Sequence, residues 1–329
     1  MPRRSKSAMD LPKQLEEVRE LLDNFLDQIE REDLREKVLA LIPIVHALRD
    51  LGSGLVVGDG INSARDRILA YFIKYPRVVI KGDELLIVAG IGEWARRFRE
   101  LRVQNGWSIY TGVTLSEIAK ETPDLINEIR DILQFDPMEL RTDHYILMRE
   151  EQDRDAAFRW QQLNRIRKEK GGVKSKILKY FRENVGHTIN GEELRYLAKD
   201  KKEWARRSRE LRTEDGWPIV TKMQGRPDLR VGEYVLEEDR QAYEHDRVIP
   251  DDVRIKVLER DNFHCVQCGW GREAAHPDDP RKFLELHHLK THAKGGENTV
   301  ENLVTMCNVD HDLVHGGKLA WDGGKFIPS

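Results

Sequence analysis

Cysteine is scarce in this sequence: 329 residues contain only three, and two of them form the close pair Cys265 and Cys268. Three cysteines, two of them in a metal-ligand type of pair, argue against a disulfide framework and fit a reducing compartment. Long apolar runs are also missing, and the N-terminus lacks the apolar core of a signal peptide. We therefore expect a soluble, cytoplasmic protein that has no membrane partner.

An excess of charge of one sign is missing too. Charged residues make up 34% of the chain, but the formal net charge is only -3, so total charge does not indicate nucleic-acid binding. Lysine and arginine do concentrate between Arg159 and Arg182, where the single acidic residue is Glu169. This segment can contact phosphates or form a solvated helical surface, and both interpretations stay open.

The sequence does contain an internal repeat. Residues 93–111 and 203–221 share the pattern Glu-Trp-Ala-Arg-Arg-x-Arg-Glu-Leu-Arg-x-x-x-Gly-Trp. The correspondence continues downstream, where residues 145–147 match residues 234–236. The chain therefore carries two copies of one domain.

The periodicity of each copy predicts three helices followed by a β-hairpin. In the first copy, helices are expected over 64–74, from near Gly82, and from Glu93 to about Val103. Strands are expected from Trp107 and at residues 145–147. This order is the winged-helix arrangement. An inserted, helix-like segment, 113–133, lengthens the hairpin loop of the first copy.

Arginines crowd the third predicted helix of each copy, which is the recognition position of a helix-turn-helix fold. They are Arg96, Arg97, Arg99 and Arg102 in the first copy, and Arg206, Arg207, Arg209 and Arg212 in the second. Such side chains can contact guanine edges or phosphates. Alternatively, they pair with Glu93, Glu100 and Glu210 on the surface of a protein-binding domain.

Histidines near the C-terminus have the spacing that phosphodiester hydrolysis needs. That reaction requires a cation at the scissile phosphate and a base that activates water, and imidazole can serve both purposes. If residues 285–289 form a strand, His287 and His288 point to opposite faces, so one can bind the cation while the other reaches water. His311 and His315 lie on one face of a helix, as two ligands of one ion must.

Two further features complete this pattern. Gly295-Gly296 can form the turn between two strands, and Asn302 can hold a loop or the catalytic imidazole. Residues 250–317 thereby resemble the HNH, or ββα-metal, endonuclease family. The resemblance implies that His288 is the general base, that His287, His311 and His315 bind the catalytic ion, and that Asn302 has an orienting role. The expected ion is Mg²⁺ or Mn²⁺, although these imidazoles would also accept Ni²⁺ or Zn²⁺.

The resemblance also implies a structural zinc site. Relatives often carry two Cys-x-x-Cys pairs on one zinc ion, but the second pair here reads Cys-Asn-Val-Asp. A carboxylate can ligate zinc, so a site of three cysteines and one aspartate is expected. The expected ligands are Cys265, Cys268, Cys307 and Asp310. His264 or His276 can substitute for the aspartate, and a metal-free site is the other alternative.

The N-terminal region predicts two helices, over about 11–31 and 33–50, in which apolar residues recur every three or four positions. They can pack on the body of the protein or form a homodimer interface. A dimer would be useful, because one HNH site cuts one DNA strand.

The expected fold is multidomain α+β, and the expected function is a DNA endonuclease with double-stranded DNA as its partner. Sequence-specific restriction is favoured, and N6-methyladenine dependence is open. A zinc-containing DNA-binding regulator and a nonspecific or structure-directed nickase are the alternatives. The predicted segments are a helical N-terminus (1–60), winged helix one (61–150), a basic linker (151–172), winged helix two (173–240) and the HNH domain (241–329).

Overall fold

The computed structural model describes residues 11–291 and 294–329. It contains two compact units. The first comprises residues 11–116 and Ile126–Trp160, and the second comprises Glu117–Leu125 and Gln161–Ser329. Within the described residues, no helix is both long and apolar enough to cross a bilayer.

The chain begins with two packed helices, α1 (Leu11–Ile29) and α2 (Leu34–Gly54), which confirms the two predicted helices. Asp33 caps α2 by accepting a hydrogen bond from the backbone N–H of Glu36. Helix α2 also packs on α4 (Gly82–Ala89). The helix pair therefore rests on the body of the first unit, while much of its apolar surface stays exposed.

The first copy of the repeat has the predicted three helices and a small antiparallel sheet. Its other helices are α3 (Ala64–Lys74) and α5 (Trp94–Arg99), and α5 continues as a π-helical turn over Glu100–Gln104. Its strands are β1 (Ile80–Lys81), β2 (Ile109–Thr111) and β3 (His144–Leu147), in the order β1-β3-β2. Fully buried side chains such as Ile68, Phe72 and Leu85 form the core between helices and sheet.

The inserted segment of the first copy is helical, as predicted. It forms α6 (Gly112–Glu121) and α7 (Ile126–Leu133). Residues Glu117–Leu125 belong to the second compact unit. There the buried carboxylate of Glu117 accepts a hydrogen bond of 2.6 Å from Trp204 Nε1.

The second copy repeats the first in detail. Its helices are α9 (Val173–Arg182), α10 (Gly191–Leu197) and α11 (Trp204–Thr213). Its strands are β4 (Ile189–Asn190), β5 (Ile219–Val220) and β6 (Glu233–Leu236), in the order β4-β6-β5. The pairs Ile189↔Tyr234 and Ile219↔Leu236 repeat the register of Ile80↔Tyr145 and Ile109↔Leu147 in the first copy. The equivalent sequence positions therefore hold equivalent places in the sheet.

The segment predicted as a basic linker contains a helix, α8 (Ala156–Lys168). Several of its cations, and one beyond it, have partners within the protein. Arg165 pairs with Glu183, the Arg167 guanidinium lies 3.9 Å from the centre of the Tyr196 ring, and farther along Lys179 Nζ lies 2.8 Å from Glu169 Oε1. These contacts favour the interpretation of this stretch as a helical surface over that of a phosphate-binding linker.

The C-terminal region has a ββα arrangement. Strands β7 (Leu284–His288) and β8 (Leu303–Cys307) pair antiparallel, from Leu284↔Cys307 to His288↔Leu303, and α13 (Asn308–His315) follows directly. Leu286 and Leu303 pack with α12 (Asp251–Arg260). A second core includes Val304 and Met306. The last two strands are β9 (Leu319–Trp321) and β10 (Phe326–Pro328).

Candidate active site

Four side chains of the ββα region and a short turn before it converge on one point. Asp246 lies at the end of the 3₁₀ turn Glu244–Asp246, His287 on β7, and His311 and His315 on α13. Each offers an oxygen or nitrogen that lies within 4.8 Å of the others, as the ligands of one metal ion would. We call these four residues the histidine cluster.

The carboxylate of Asp246 is the centre of the histidine cluster. Its Oδ2 lies 2.9 Å from His315 Nε2, 3.1 Å from His311 Nε2 and 3.4 Å from His287 Nδ1. The two Nε2 atoms of His311 and His315 lie 3.1 Å apart, because four-residue spacing puts both rings on one face of α13. The structure therefore brings together the three predicted ligands of the catalytic ion.

His288 lies beside this cluster and is fully buried. Its Nδ1 lies 2.6 Å from Asp246 Oδ1, and its Nε2 lies 2.8 Å from Asn298 Oδ1. We expected His287 and His288 to serve different faces of the strand, but both rings reach the same carboxylate. This happens because Asp246 lies beside the end of β7, where it also accepts a hydrogen bond from the His288 backbone N–H.

A second carboxylate, that of Glu285, contacts the histidine cluster through His311. His311 Nδ1 lies 2.9 Å from Glu285 Oε2, so this nitrogen can donate its proton there and leave Nε2 facing Asp246. Arg240 pairs with Glu285 and with Asp312. The Tyr243 ring stacks on His315 with ring centres 3.7 Å apart. The rings of α13 are therefore held in a fixed orientation.

The environment shifts the pKa values of these groups in opposite directions. Burial disfavours the charged form of Asp246, but the hydrogen bonds from His288, His311 and His315 and the nearby His287 imidazole outweigh burial and hold its pKa far below the usual range. Burial also opposes charge on His311, yet hydrogen bonds to Asp246 and Glu285 raise its pKa to about 9. Burial lowers the pKa of His287. A cation that binds here must displace the His311 proton.

The donor set fits a divalent cation. His287 Nδ1 is buried and makes no hydrogen bond within the described residues. Imidazole nitrogens suit transition metals, and a carboxylate adds an oxygen ligand and negative charge. A single cation would satisfy this nitrogen together with the other three donors.

Asn302 holds the loop between β7 and β8. Its amide oxygen accepts a hydrogen bond from the Lys290 backbone N–H, and its Nδ2 donates to the carbonyls of Lys290 and Glu297. Gly295 has a φ of 78°, and a Cβ on Gly296 would lie 1.7 Å from the Lys290 carbonyl oxygen, so this turn requires glycine. The same loop carries Asn298, and Asn302 thereby positions the partner of His288.

A second cluster lies at the other end of α13. Cys265, Cys268, Cys307 and Asp310 each offer one ligand atom within 4.8 Å of the others, and we call them the cysteine cluster. Asp310 Oδ2 lies 3.1 Å from Cys265 Sγ and 3.3 Å from Cys307 Sγ, while the sulfurs of Cys268 and Cys307 are 3.8 Å apart. Zinc–sulfur bonds of about 2.3 Å in a tetrahedron would separate two sulfurs by about 3.8 Å.

The histidines considered as substitutes for Asp310 do not join this cluster. His264 Nε2 lies 2.6 Å from Glu273 instead, and the His276 side chain is mostly exposed. The thiols of the cysteine cluster interact strongly. A hydrogen bond with Cys307 lowers the pKa of Cys265 to about 6, which favours the thiolate that a metal needs.

The comparisons with known proteins agree with this geometry. Residues 265–317 match the family model of the HNH endonuclease. The chain contains an HNH endonuclease domain. Two further ranges, 65–148 and 174–237, match the model of the KpnI N-terminal domain, and KpnI is a restriction enzyme. The matches are consistent with an HNH restriction-type endonuclease, and the two KpnI-like ranges coincide with the two copies of the repeat.

Neither the curated proteins nor the solved structures contain a significant match to this chain.

The HNH match begins after Asp246 and the second KpnI-like range ends before it. Sequence reasoning missed Asp246, Glu285 and Asn298. Glu285 could have been noticed as part of Glu-x-His-His, but nothing in the spacing of Asp246 connects it with the histidines.

Arg96, Arg97 and Arg99 of the first copy remain at its surface, whereas Arg102 is half-buried. Arg96 and Arg97 pair with Glu100, with side chains 69% and 41% exposed. Arg99 is exposed and has no ion-pair partner among the described residues. The Arg102 guanidinium lies 5.3 Å from the centre of the Phe98 ring.

All four arginines of α11 in the second copy are paired with acidic residues. Arg206 and Arg207 pair with Glu210, and Arg209 lies 2.9 Å from Glu121 of the inserted segment. Arg212 is buried, and its Nε lies 2.8 Å from Asp251 at the start of α12. Its predicted role in DNA contact does not fit this interior position, so we leave Arg212 out of the proposed DNA surface.

Proposed function

We propose that this protein is a sequence-specific restriction endonuclease that hydrolyses DNA with one divalent cation, Mg²⁺ or Mn²⁺. The carrying observation is the buried histidine cluster beside His288, within a ββα segment that matches the HNH endonuclease. The cysteine cluster would hold a structural Zn²⁺, because three sulfurs and one carboxylate oxygen form a soft, four-ligand set.

In this proposal His287, His311 and His315 hold the catalytic cation. The bound cation would stabilise negative charge on the scissile phosphate and the leaving oxygen. His288 is the general base: its Nδ1 donates to Asp246, so Nε2 is the atom that accepts the proton from water. The Asn298 amide oxygen lies 2.8 Å from this atom, so water must take its place before the reaction.

The test is plasmid cleavage by His288→Ala in the presence of Mg²⁺ or Mn²⁺. We expect cleavage to fall by about 10²- to 10⁴-fold, the usual contribution of a general base, while DNA affinity survives. His276→Ala is the matched control, because this histidine lies in the same domain and is exposed. Unchanged cleavage by His288→Ala would refute the assignment of the base. Intact DNA binding without any cleavage by the wild type would favour the zinc-containing regulator.

We further propose that the two copies of the repeat are winged-helix domains and that the first one makes the stronger DNA contacts. Their order of three helices and a three-stranded sheet supports this proposal. The arginines of α5 also remain more available than those of α11, because Arg209 is paired with Glu121. The relevant DNA-contact residues would be Arg96, Arg97, Arg99 and Arg102.

This difference is measurable with matched double variants. We expect Arg96→Ala/Arg99→Ala to weaken DNA binding about tenfold or more and to reduce its salt dependence by up to two phosphate contacts. The equivalent Arg206→Ala/Arg209→Ala should have a smaller effect on affinity. An equal loss in both variants would indicate that both copies bind DNA.

A homodimer through α1 and α2 is a further proposal. Eleven large apolar side chains on these helices are 39–75% exposed, including Leu22 at 46% and Leu26 at 63%. Burying them against a second copy would approach the roughly 800 Å² per partner that stable interfaces bury. Two HNH sites would then be available for two strands.

Leu22→Glu/Leu26→Glu tests the dimer by placing charges in this surface. We expect the wild type to have a dimeric mass in light scattering and to linearise plasmid, whereas the variant should be monomeric and should produce nicked circles. A monomeric wild type, both free and on DNA, would contradict the dimer.

Mapped digestion of DNA from methylation-competent and methylation-deficient hosts would identify the recognition site. It would also test dependence on N6-methyladenine, since equal cutting of both DNAs would exclude that dependence.

A further inference from the structure

Asp246 lies outside every segment that matches a known family. It falls between the end of the second KpnI-like range at residue 237 and the start of the HNH match at residue 265. Its backbone N–H donates to the Tyr243 carbonyl, and its side chain is wholly buried against β7. A carboxylate in such a place is costly unless strong partners compensate for its lost hydration.

The two oxygens of Asp246 face different groups. Oδ1 accepts hydrogen bonds from the backbone N–H of His288, at 3.2 Å, and from His288 Nδ1, at 2.6 Å. Oδ2 faces only the three histidines of the cluster within the described residues, at 2.9 to 3.4 Å. One carboxylate thus connects the expected base with the expected cation ligands.

Hydrogen bonds alone do not account for the contacts between Asp246 Oδ2 and the three histidines. His311 Nε2 and His315 Nε2 face each other at 3.1 Å while both face Oδ2; if each nitrogen donates its one proton to Oδ2, the contact between the two nitrogens has none. The buried Nδ1 of His287 also approaches Oδ2, at 3.4 Å, without making a hydrogen bond. Three nitrogens and one oxygen that share a centre are better satisfied by a cation than by protons.

We infer that Asp246 is a bridging residue of the active site. Its Oδ2 is a fourth protein ligand of the catalytic cation, and its Oδ1 fixes the tautomer of His288 in which Nε2 is the proton acceptor once water has replaced Asn298 Oδ1. This inference rests on the proposed function and deepens it. It makes Asp246 a metal ligand and a positioning residue for the base, contributed by a segment outside the matched HNH domain.

A consequence for metal choice follows from the number of ligands. Three histidines and an aspartate already supply four donors, the full complement of a tetrahedral Zn²⁺ ion. Six-coordinate ions such as Mn²⁺ keep positions for water and phosphate beside four protein ligands. Mn²⁺ should therefore support cleavage, whereas Zn²⁺ at the histidine cluster should inhibit it.

The test compares Mn²⁺ binding by the full-length wild type and by Asp246→Asn. Electron paramagnetic resonance of the free ion measures the binding. This substitution removes the negative charge but keeps an oxygen that can accept from His288. We expect Mn²⁺ affinity to fall at least tenfold. Glu244→Gln is the matched control, because Glu244 lies on the same turn and is exposed, so its variant should bind Mn²⁺ like the wild type.

Further readouts separate this inference from the proposed function. Nitrogen-15 spectra of the imidazoles should report the His288 Nδ1–H tautomer in the wild type and in Asp246→Asn, and its loss in Asp246→Ala. Wild-type Mn²⁺ affinity in Asp246→Asn would overturn the inference. If thermal unfolding shows that Asp246→Asn does not fold, Asp246→Glu decides: it should bind Mn²⁺ more weakly than the wild type, and unchanged affinity would overturn the bridge. Cleavage by His288→Ala combined with weakened Mn²⁺ binding in Asp246→Asn would refute only the base.

Discussion

The two clusters of the HNH domain share a helix but differ in chemistry. Asp310 and His311 are neighbours on α13, yet Asp310 lies in the cysteine cluster and His311 in the histidine cluster. The cysteine cluster is a closed set of three sulfurs and one oxygen. The histidine cluster has nitrogen ligands, a supporting carboxylate and an adjacent buried imidazole.

This difference indicates a division of labour. A soft, four-ligand set is typical of structural zinc, whose binding energy contributes directly to folding. The cysteine cluster also fixes the start of α13, because Cys307 caps that helix by accepting from the Asp310 backbone N–H. We therefore expect the cysteine cluster to hold the scaffold and the histidine cluster to perform the reaction.

The largest expected effect comes from Cys307→Ser compared with His311→Ala. Structural zinc sites contribute on the order of 10 kcal/mol to folding, so Cys307→Ser should lose its zinc and the cooperative unfolding of the HNH domain. His311→Ala should keep both but lose cleavage by about 10³-fold or more. Metal analysis, thermal unfolding and plasmid digestion measure the three properties. Normal unfolding of Cys307→Ser would break the comparison.

An intermediate effect is expected from Glu285→Gln. An amide accepts the His311 Nδ1 proton more weakly than a carboxylate, so cation affinity or cleavage should fall about 10- to 100-fold. Zinc content and thermal stability of the cysteine cluster should stay the same. Glu259→Gln on the exposed surface of α12 is the control. A loss of zinc in Glu285→Gln would show that the two clusters are not independent.

The smallest effect on activity is expected from Asp310→Cys. A fourth thiolate is a softer zinc ligand than a carboxylate, so zinc should bind more tightly and the domain should melt a few degrees higher, at about 4–8 °C per kcal/mol. Cleavage should change by less than about twofold. Asp310→Ala should instead weaken zinc binding and lower the melting temperature. A large loss of cleavage in a stable Asp310→Cys variant would contradict the division of labour.

Much of the fold could be predicted because its signals are local. Apolar periodicity indicated the helices α1 to α5, and the repeated Glu-Trp-Ala-Arg-Arg pattern indicated that the second copy would fold like the first. The spacing of His311 and His315 was equally local, since an α-helix brings residues four apart onto one face. Asp310 takes the place of the missing cysteine in the second pair, and the structure places it beside the three cysteines, while its role as a zinc ligand stays a prediction.

Other features depended on contacts that periodicity does not encode. Arg212 is the equivalent of Arg102 in the second copy of the repeat, but only the fold places it against Asp251 in the interior. Glu117 and Glu121 are in the first copy's insertion, yet they contact Trp204 and Arg209 of the second. Whether a charged side chain is exposed or buried depends on which other segment packs over it, and that depends on the fold of the whole chain.

The sequence by itself determined the ββα order and the pairs His311/His315 and Cys265/Cys268, because each comes from a short spacing within a strand, helix or turn, while their roles as metal ligands stay predictions. Only the tertiary structure decided that Asp246 joins His287, His288, His311 and His315. This carboxylate precedes the nearest of them, His287, by 41 residues in the sequence.

 A buried carboxylate finds its partners through packing in three dimensions, and the turn at Glu244–Asp246 brings it to the end of β7 only once the domain has folded.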